Sequence, residues 1–301
     1  MNAAEKMSSR ELGLILAQQL LAVEDLHYGL WDADLPLSID RLAEAQQRYT
    51  DLLLARIERL TAGRRSPRIL DVGCGTGHML QQLLEAGYRV DAVNPSAALN
   101  RLVHERLQAL GDTDTTLLET TFESLPAAYC RQQFDLVLFS ESCQYIPLPA
   151  LLERLPSLLS AGGSVLISDF FKTAAHGDGA PGDRSFGGGH VLAEFYRELD
   201  ASPLVITDDE DLTPRVSPSI ELLEDWLNNR LAPAATTLNT WLLDQYPGLT
   251  RALRWLLRNK LARLNYKYLS GHRRRALFEK YKSYRLIALR YPVVSGDNHK
   301  L

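Results

Sequence analysis

Cysteine is scarce in this chain of 301 residues: Cys74, Cys130 and Cys143 are too few and too scattered for a disulfide framework or a zinc site. That scarcity fits a reducing compartment, and no metal is expected. No run of 18 apolar residues occurs, which excludes a simple spanning helix. Residues 1–10 are polar rather than basic and then apolar, so no secretion signal is expected. Neither charge sign dominates, with 33 Lys and Arg against 37 Asp and Glu, so the total of −4 does not imply a nucleic-acid partner. The expectation is a cytoplasmic protein with no nucleic-acid partner and no stable membrane insertion.

What is present is enough apolar material, 46% of residues, to bury a full core. Charge is unevenly spread. Residues 251–290 hold 13 Lys and Arg against the single acid Glu279, a local excess of +12 that leaves −16 on the remainder. Along this segment Arg251, Arg254 and Arg258 share one helical face and Leu253, Leu256, Leu257, Leu261 and Leu264 the other. A solvated face, an acidic carrier protein, and an anionic substrate or lipid surface all remain open for it.

Periodicity orders the rest. Apolar residues at helical spacing predict helices over 9–27 and 38–60, with Ser38 as N-cap of the second. From residue 68 strands alternate with helices. Strands are predicted at 68–72, 89–93, 115–119, 134–139 and 164–168, with helices over 78–86, from Pro95 or Ser96 to about 110, and over 148–159. Short loops between them argue for a doubly wound parallel sheet. Residues 171–189 are glycine-rich and read as a loop. A sixth strand at 204–207, helices across 219–280 and a final strand at 284–289 complete the pattern. The expected fold is therefore α/β: a Rossmann-like, seven-stranded, doubly wound sheet with N-terminal helices and a helical cap. Expected boundaries are 1–62 for the helices over the site, 63–218 for the core, 219–282 for the cap, and 283–301 for the last strand and tail.

Chemistry concentrates in Asp71-Val72-Gly73-Cys74-Gly75-Thr76-Gly77-His78. An apolar strand runs into an acid and then three alternate glycines, a turn that lets backbone approach a ligand. A dinucleotide fingerprint needs its third glycine at 78, where this chain has His. In an open α/β sheet ligands lie at the carboxyl ends of strands, and Asp71, Asn94, Thr121 and Ser140 all fall at such ends.

The strand, acid, glycine spacing and following helix resemble motif I of class I S-adenosylmethionine (SAM)-dependent methyltransferases of the small-molecule, natural-product O-methyltransferase type. The resemblance implies a SAM site built from Asp71, Gly73, Cys74, Gly75, Thr76 and Gly77. Asn94, followed by Pro95 and Ser96, stands where the family commonly has the acid that accepts the ribose hydroxyls; an amide carries less of that load. Thr121-Phe122, followed by Glu123, is similar to the family's adenine-binding pair. Ser140 and Glu141 open its motif IV loop. Tyr28 and Trp31, in a stretch like (H/Y)-x-G-x-W, would fold over the methionine end. Related sugar and polyketide enzymes carry adjacent histidines where this chain has Gln144-Tyr145. Tyr145 is a poor base near neutrality, its type titrating near about 10. His190, which follows three glycines in the loop after strand 5, is then the expected base. Glu141, Asp169, Glu194 and His176 are further candidates.

The reading is a SAM-dependent methyltransferase, releasing S-adenosylhomocysteine, that acts on a small, largely hydrophobic natural-product-like acceptor, with O-methylation first. Trp226, Trp241 and Trp255 in the cap suggest the apolar acceptor, either free or bound to a carrier protein; a homodimer is compatible. Non-methyl chemistry such as a cyclisation on the same fold, and a non-catalytic scaffold, are the rival readings.

Overall fold

A computed structural model describes residues 19, 23–24, 27–112, 114–266 and 272–292. Nearly all of the helix expected over 9–27 lies outside these residues. The chain forms one seven-stranded sheet of order β3-β2-β1-β4-β5-β7-β6. Its strands are β1 (Arg68–Val72), β2 (Arg89–Val93), β3 (Leu117–Leu118), β4 (Phe134–Ser140), β5 (Leu159–Lys172), β6 (Val205–Asp211) and β7 (Lys282–Arg290). The first five are parallel, and β7 runs antiparallel between β5 and β6. Chain order reverses between β1 and β4, and this is where an open sheet leaves a crevice at its carboxyl edge.

Alternate strand residues build two separate cores, as the period of two requires. Ile69, Val90, Leu136, Leu138, Leu166 and Leu286 pack with Leu53 and Ile57 of α1 (Leu42–Thr61), Leu80 of α2 (His78–Glu85) and Val103 of α3 (Ala97–Leu110). Leu70, Val137, Phe139, Val165 and Ile287 face the other way, onto Leu151 and Leu155 of α4 (Leu148–Leu158) and Phe195 of α5 (Leu192–Asp200).

The ends of β1 and β2 fall where sequence periodicity puts them. The other five differ in length, β4 by one residue and β7 by three, and β5 and β6 for tertiary reasons. β5 extends both ways beyond 164–168, because β7 pairs with it from Ser164 to Lys172 and a register shift against β4 absorbs Ala161, Gly162 and Gly163. β6 continues to Asp211 although 208–211 are all acidic, because Arg285 of β7 sits against Asp209 at 2.6 Å and Asp211 at 3.3 Å, while Arg56 of α1 pairs with Asp208 and Glu210. β3 shrinks to two residues.

The segment expected to be helical throughout, 219–280, holds several helices. Helix α6 (Thr213–Val216) leads into α7 (Pro218–Trp226), followed by a wider turn over Leu227–Leu231, then α8 (Ala232–Gln245), α9 (Pro247–Leu264) and α10 (Arg275–Tyr281). Ile220 of α7 and Phe278 of α10 enter the first core. Among the described side chains, helices α8 and α9 bury no hydrophobic residue, and Trp241 and Trp255 are 52% and 67% exposed. Among the described residues no helix is long and apolar enough to cross a membrane.

Candidate functional site

The glycine segment forms a tight loop from β1 into α2. Gly73, Gly75 and Gly77 have φ of +78°, +58° and +83°, a region that favours glycine. Their roles differ. A Cβ on Gly73 would lie 2.5 Å from Ser142 Cβ, and one on Gly77 would lie 3.2 Å from Val103 Cγ2, so these two glycines serve packing. A Cβ on Gly75 would meet no protein atom within 4 Å. Gly75 thus leaves an open cradle, which its own carbonyl and Asn94 help shape: Asn94 Nδ2 donates to Gly75 O at 3.1 Å.

Asp71 is 1% exposed, and its Oδ2 has no hydrogen-bond partner. Burial pushes this carboxyl up to about 7. Buried polar atoms are almost always paired in folded proteins, so an orphan carboxylate oxygen beside an open glycine cradle points to a ligand donor. A cofactor presenting an amine or hydroxyl fits that requirement. Cys74, also buried, has its thiol raised well above the ordinary range by burial and by Asp71. Thr76 is tied to the N-terminal segment, its hydroxyl donating to Glu24 O at 3.2 Å.

A second cluster lies at the ends of β4 and β5. Glu141 sits at φ +54°, and its Oε1 accepts from Tyr28 N at 3.0 Å and lies 2.9 Å from Tyr284 Oη. Tyr284 Oη is 3.0 Å from Tyr49 Oη, which in turn reaches Ser168 Oγ at 2.8 Å and Ser140 Oγ at 3.1 Å. Burial and Glu141 raise the phenols of Tyr28, Tyr49 and Tyr284, so all three stay neutral donors. Tyr28 thereby closes the N-terminal stretch over Glu141. Three residues on, Trp31 is 6% exposed among Val23, Leu35, Leu42, Ala45 and Leu222, and its Nε1 donates to Ser219 Oγ at 2.9 Å.

His190 Nε2 lies 3.1 Å from the carbonyl of Cys143. A carbonyl only accepts, so Nε2 carries a proton, and in the neutral tautomer Nδ1 is the basic nitrogen. Gln144 is locked by Asp169, which accepts from its backbone N at 2.9 Å and from Nε2 at 3.1 Å. Burial pushes Asp169 up to about 8 against those donors. Tyr145 is 54% exposed, Glu194 is exposed in the first turn of α5, and His176 lies beside Asp183. On the far side of the crevice Phe122 is 2% exposed, its ring edge-on to Phe139 at 5.6 Å. Thr121 and Pro95 are exposed, Glu123 is half-buried, and Ser96 caps α3 by accepting from Leu99 N at 3.3 Å.

Tyr49, Ser168, Tyr284 and Ser219 carry no motif and are joined only by the fold. Tyr284 does stand out as a polar-tipped residue on a buried face of the last strand. Among the described residues no group of three His, Cys, Asp or Glu is placed to hold a metal ion.

A family model described as a methyltransferase domain matches residues 43–205, from α1 to the start of β6. The chain belongs to that family. The methyltransferase uses S-adenosylmethionine, and the open cradle at Gly75 with the orphan oxygen of Asp71 fits that cofactor. Curated relatives include methyltransferase GfsG of Streptomyces halstedii, 29% identical over 54% of this chain and 58% of its own length. Another is 27-O-demethylrifamycin SV methyltransferase of Amycolatopsis mediterranei, 27% identical over 65% and 72%. The chain therefore spans under three fifths of GfsG. Solved structures of the same fold include geranyl diphosphate methyltransferase in complex with GPP and sinefungin (TM-score 0.64, 18% identity, 92% and 93% covered). The [4+2]-cyclase SpnF shares the fold as well (TM-score 0.62, 20% identity, 95% and 97%).

Proposed function

We propose that this methyltransferase transfers a methyl group from SAM to an oxygen of a small, largely hydrophobic, natural-product-like acceptor. One observation carries the reading. The open glycine cradle with its unpaired Asp71 and the tautomer-fixed His190 both belong to the carboxyl edge of the sheet, on β1 and on the loops after β4 and β5. When bound, the cofactor supplies an electrophilic methyl on a sulfonium.

The chain's own residues would do the following. Asp71 accepts a hydrogen bond from the cofactor, and Gly75 lets the backbone approach it. Asn94, already spending its amide on Gly75, offers Oδ1 toward the ribose. Ser96 and the Thr121–Glu123 turn border the nucleoside end. Glu141 fastens Tyr28 across the crevice and helps exclude water, while Tyr49, Tyr284 and Ser168 hold Glu141 in place. His190 takes the acceptor's hydroxyl proton on Nδ1, with Tyr145 at the open rim to steer the acceptor. Of the coverings expected over 1–62 and 219–282, α1, α7 and α10 would close over a core formed by 63–218 and the last strand. O-methylation is supported by the likeness to the rifamycin enzyme, whose name places its methyl on oxygen.

Labelled SAM offered with a panel of apolar hydroxylated acceptors tests this, read as O-methyl product and as S-adenosylhomocysteine formed one for one. Product without S-adenosylhomocysteine would move the reading to cyclase-type chemistry, for which the same fold has a solved example. His190→Ala should lower kcat by about 100-fold with cofactor affinity unchanged. Unaltered turnover would remove His190 from the mechanism.

A further inference from the structure

The α8–α9 hairpin is not used by the site described above. Its outer surface is apolar: Leu238, Trp241, Leu249, Leu253, Trp255 and Leu256 are 58%, 52%, 71%, 52%, 67% and 70% exposed. Soluble proteins seldom leave so many large apolar side chains together in water. Helix α9 also carries Arg251, Arg254, Arg258, Lys260 and Arg263 and no acidic residue. None of these five cations has a carboxylate partner among the described residues. By contrast Arg274 and Arg275, near the base of the hairpin, pair with Glu224, Glu221 and Glu279. Arg258 instead lies over the Trp255 ring at 4.9 Å.

We propose that this hairpin docks the protein onto an anionic phospholipid bilayer. In the 18-residue α9, Leu249, Leu253 and Leu256 share one side with Lys260 and Arg263, while Arg251, Arg254 and Arg258 take the other with Trp255 beside them, and this mix of apolar groups and unpaired cations with no acid matches what an interfacial helix requires. The leucine and tryptophan side chains enter the headgroup boundary, and the cations meet the lipid phosphates. The surrounding body is acidic, which argues that attraction is confined to this hairpin. A second copy joined hairpin to hairpin would bring like charges face to face, since a two-fold interface pairs the same patch with itself. The docking stands independently of the acceptor's identity.

Flotation of the full chain with two vesicle types tests it: phosphatidylcholine alone, and phosphatidylcholine with about a third phosphatidylglycerol. Binding is expected only to the anionic vesicles, and to be lost in high salt. It should weaken at least about tenfold in Leu253→Glu/Leu256→Glu and in Arg251→Glu/Arg254→Glu/Arg258→Glu. These positions are exposed, so far-UV circular dichroism and Tm should match the parent. Absence of flotation, or equal flotation of the variants, overturns the proposal. So does a lipid-free dimer that either variant dissociates, or saturable binding to an acidic carrier protein without vesicle binding.

Discussion

Asp71 combines near-complete burial, an unpaired oxygen and a carboxyl raised to about 7, and these make it a residue whose charge opposes folding until a ligand engages it. Its folded proton affinity exceeds the unfolded value, so the folded state holds the extra proton and loses stability as pH rises from about 4 to about 7. Asp71→Asn should therefore stabilise the cofactor-free protein at pH 8 by at least about 1 kcal/mol, an effect absent near pH 4. The same change should weaken SAM binding about tenfold or more by calorimetry. Opposite signs for stability and binding are the test; a loss of both would make Asp71 a structural residue. The glycines beside it separate in the same way. Gly75→Ala costs only about 1–2 kcal/mol for its left-handed backbone but should abolish SAM binding, because the new methyl enters the cradle. Gly73→Ala drives its methyl against Ser142 and should unfold the protein at lower urea.

Element ends show what local sequence specifies and what it does not. Ser38 reads as an N-cap and Ser96 as one of two residues that could open a helix, yet only Ser96 makes the capping bond. Ser38 opens a short 3₁₀ turn, Ile39–Arg41, before α1 begins. Ser96→Ala should cost about 1 kcal/mol in chemical denaturation of the free protein, and Ser38→Ala no more than a few tenths. The strands flanking the glycine loop were legible because apolar runs, breakers and helix caps there agree with each other. The cofactor half of the site was legible for the same reason, since Asp71 and its glycines are contiguous. The acidic run 208–211 becomes a strand only because Arg56 and Arg285 meet it, one from α1 and one from β7. The polar cluster behind Glu141 was equally hidden: Tyr49 and Tyr284 lie 235 positions apart, and only the placement of β7 beside β5 joins them. Trp31 could be read as a cofactor cover from its motif; in the fold its indole is spent on Ser219.

Across the whole molecule the buried and exposed acids act on stability in opposite directions. Asp34, Asp112, Glu119, Asp178 and Glu279 are held below the ordinary carboxylate range, each with a hydrogen-bonding partner that favours the charged form. They contribute stability that is present above their unfolded values and lost in acid. Asp71 and Asp169 are raised to about 7 and about 8, so their contribution falls as pH climbs from about 4 through those values. Lys282, lowered to about 8 by burial and by Lys172, begins to restore stability only above that point, where the unfolded state still binds its proton. These opposing slopes place the maximum of the urea midpoint near about pH 5, with a decline toward about pH 8. Asp169→Asn should flatten that decline. It also removes the acceptor for Gln144 N, so its absolute stability drops, and the slope is the quantity that decides. A midpoint that rises steadily from pH 5 to 8 in the parent protein would show that Asp71 and Asp169 are charged in the folded state at little cost.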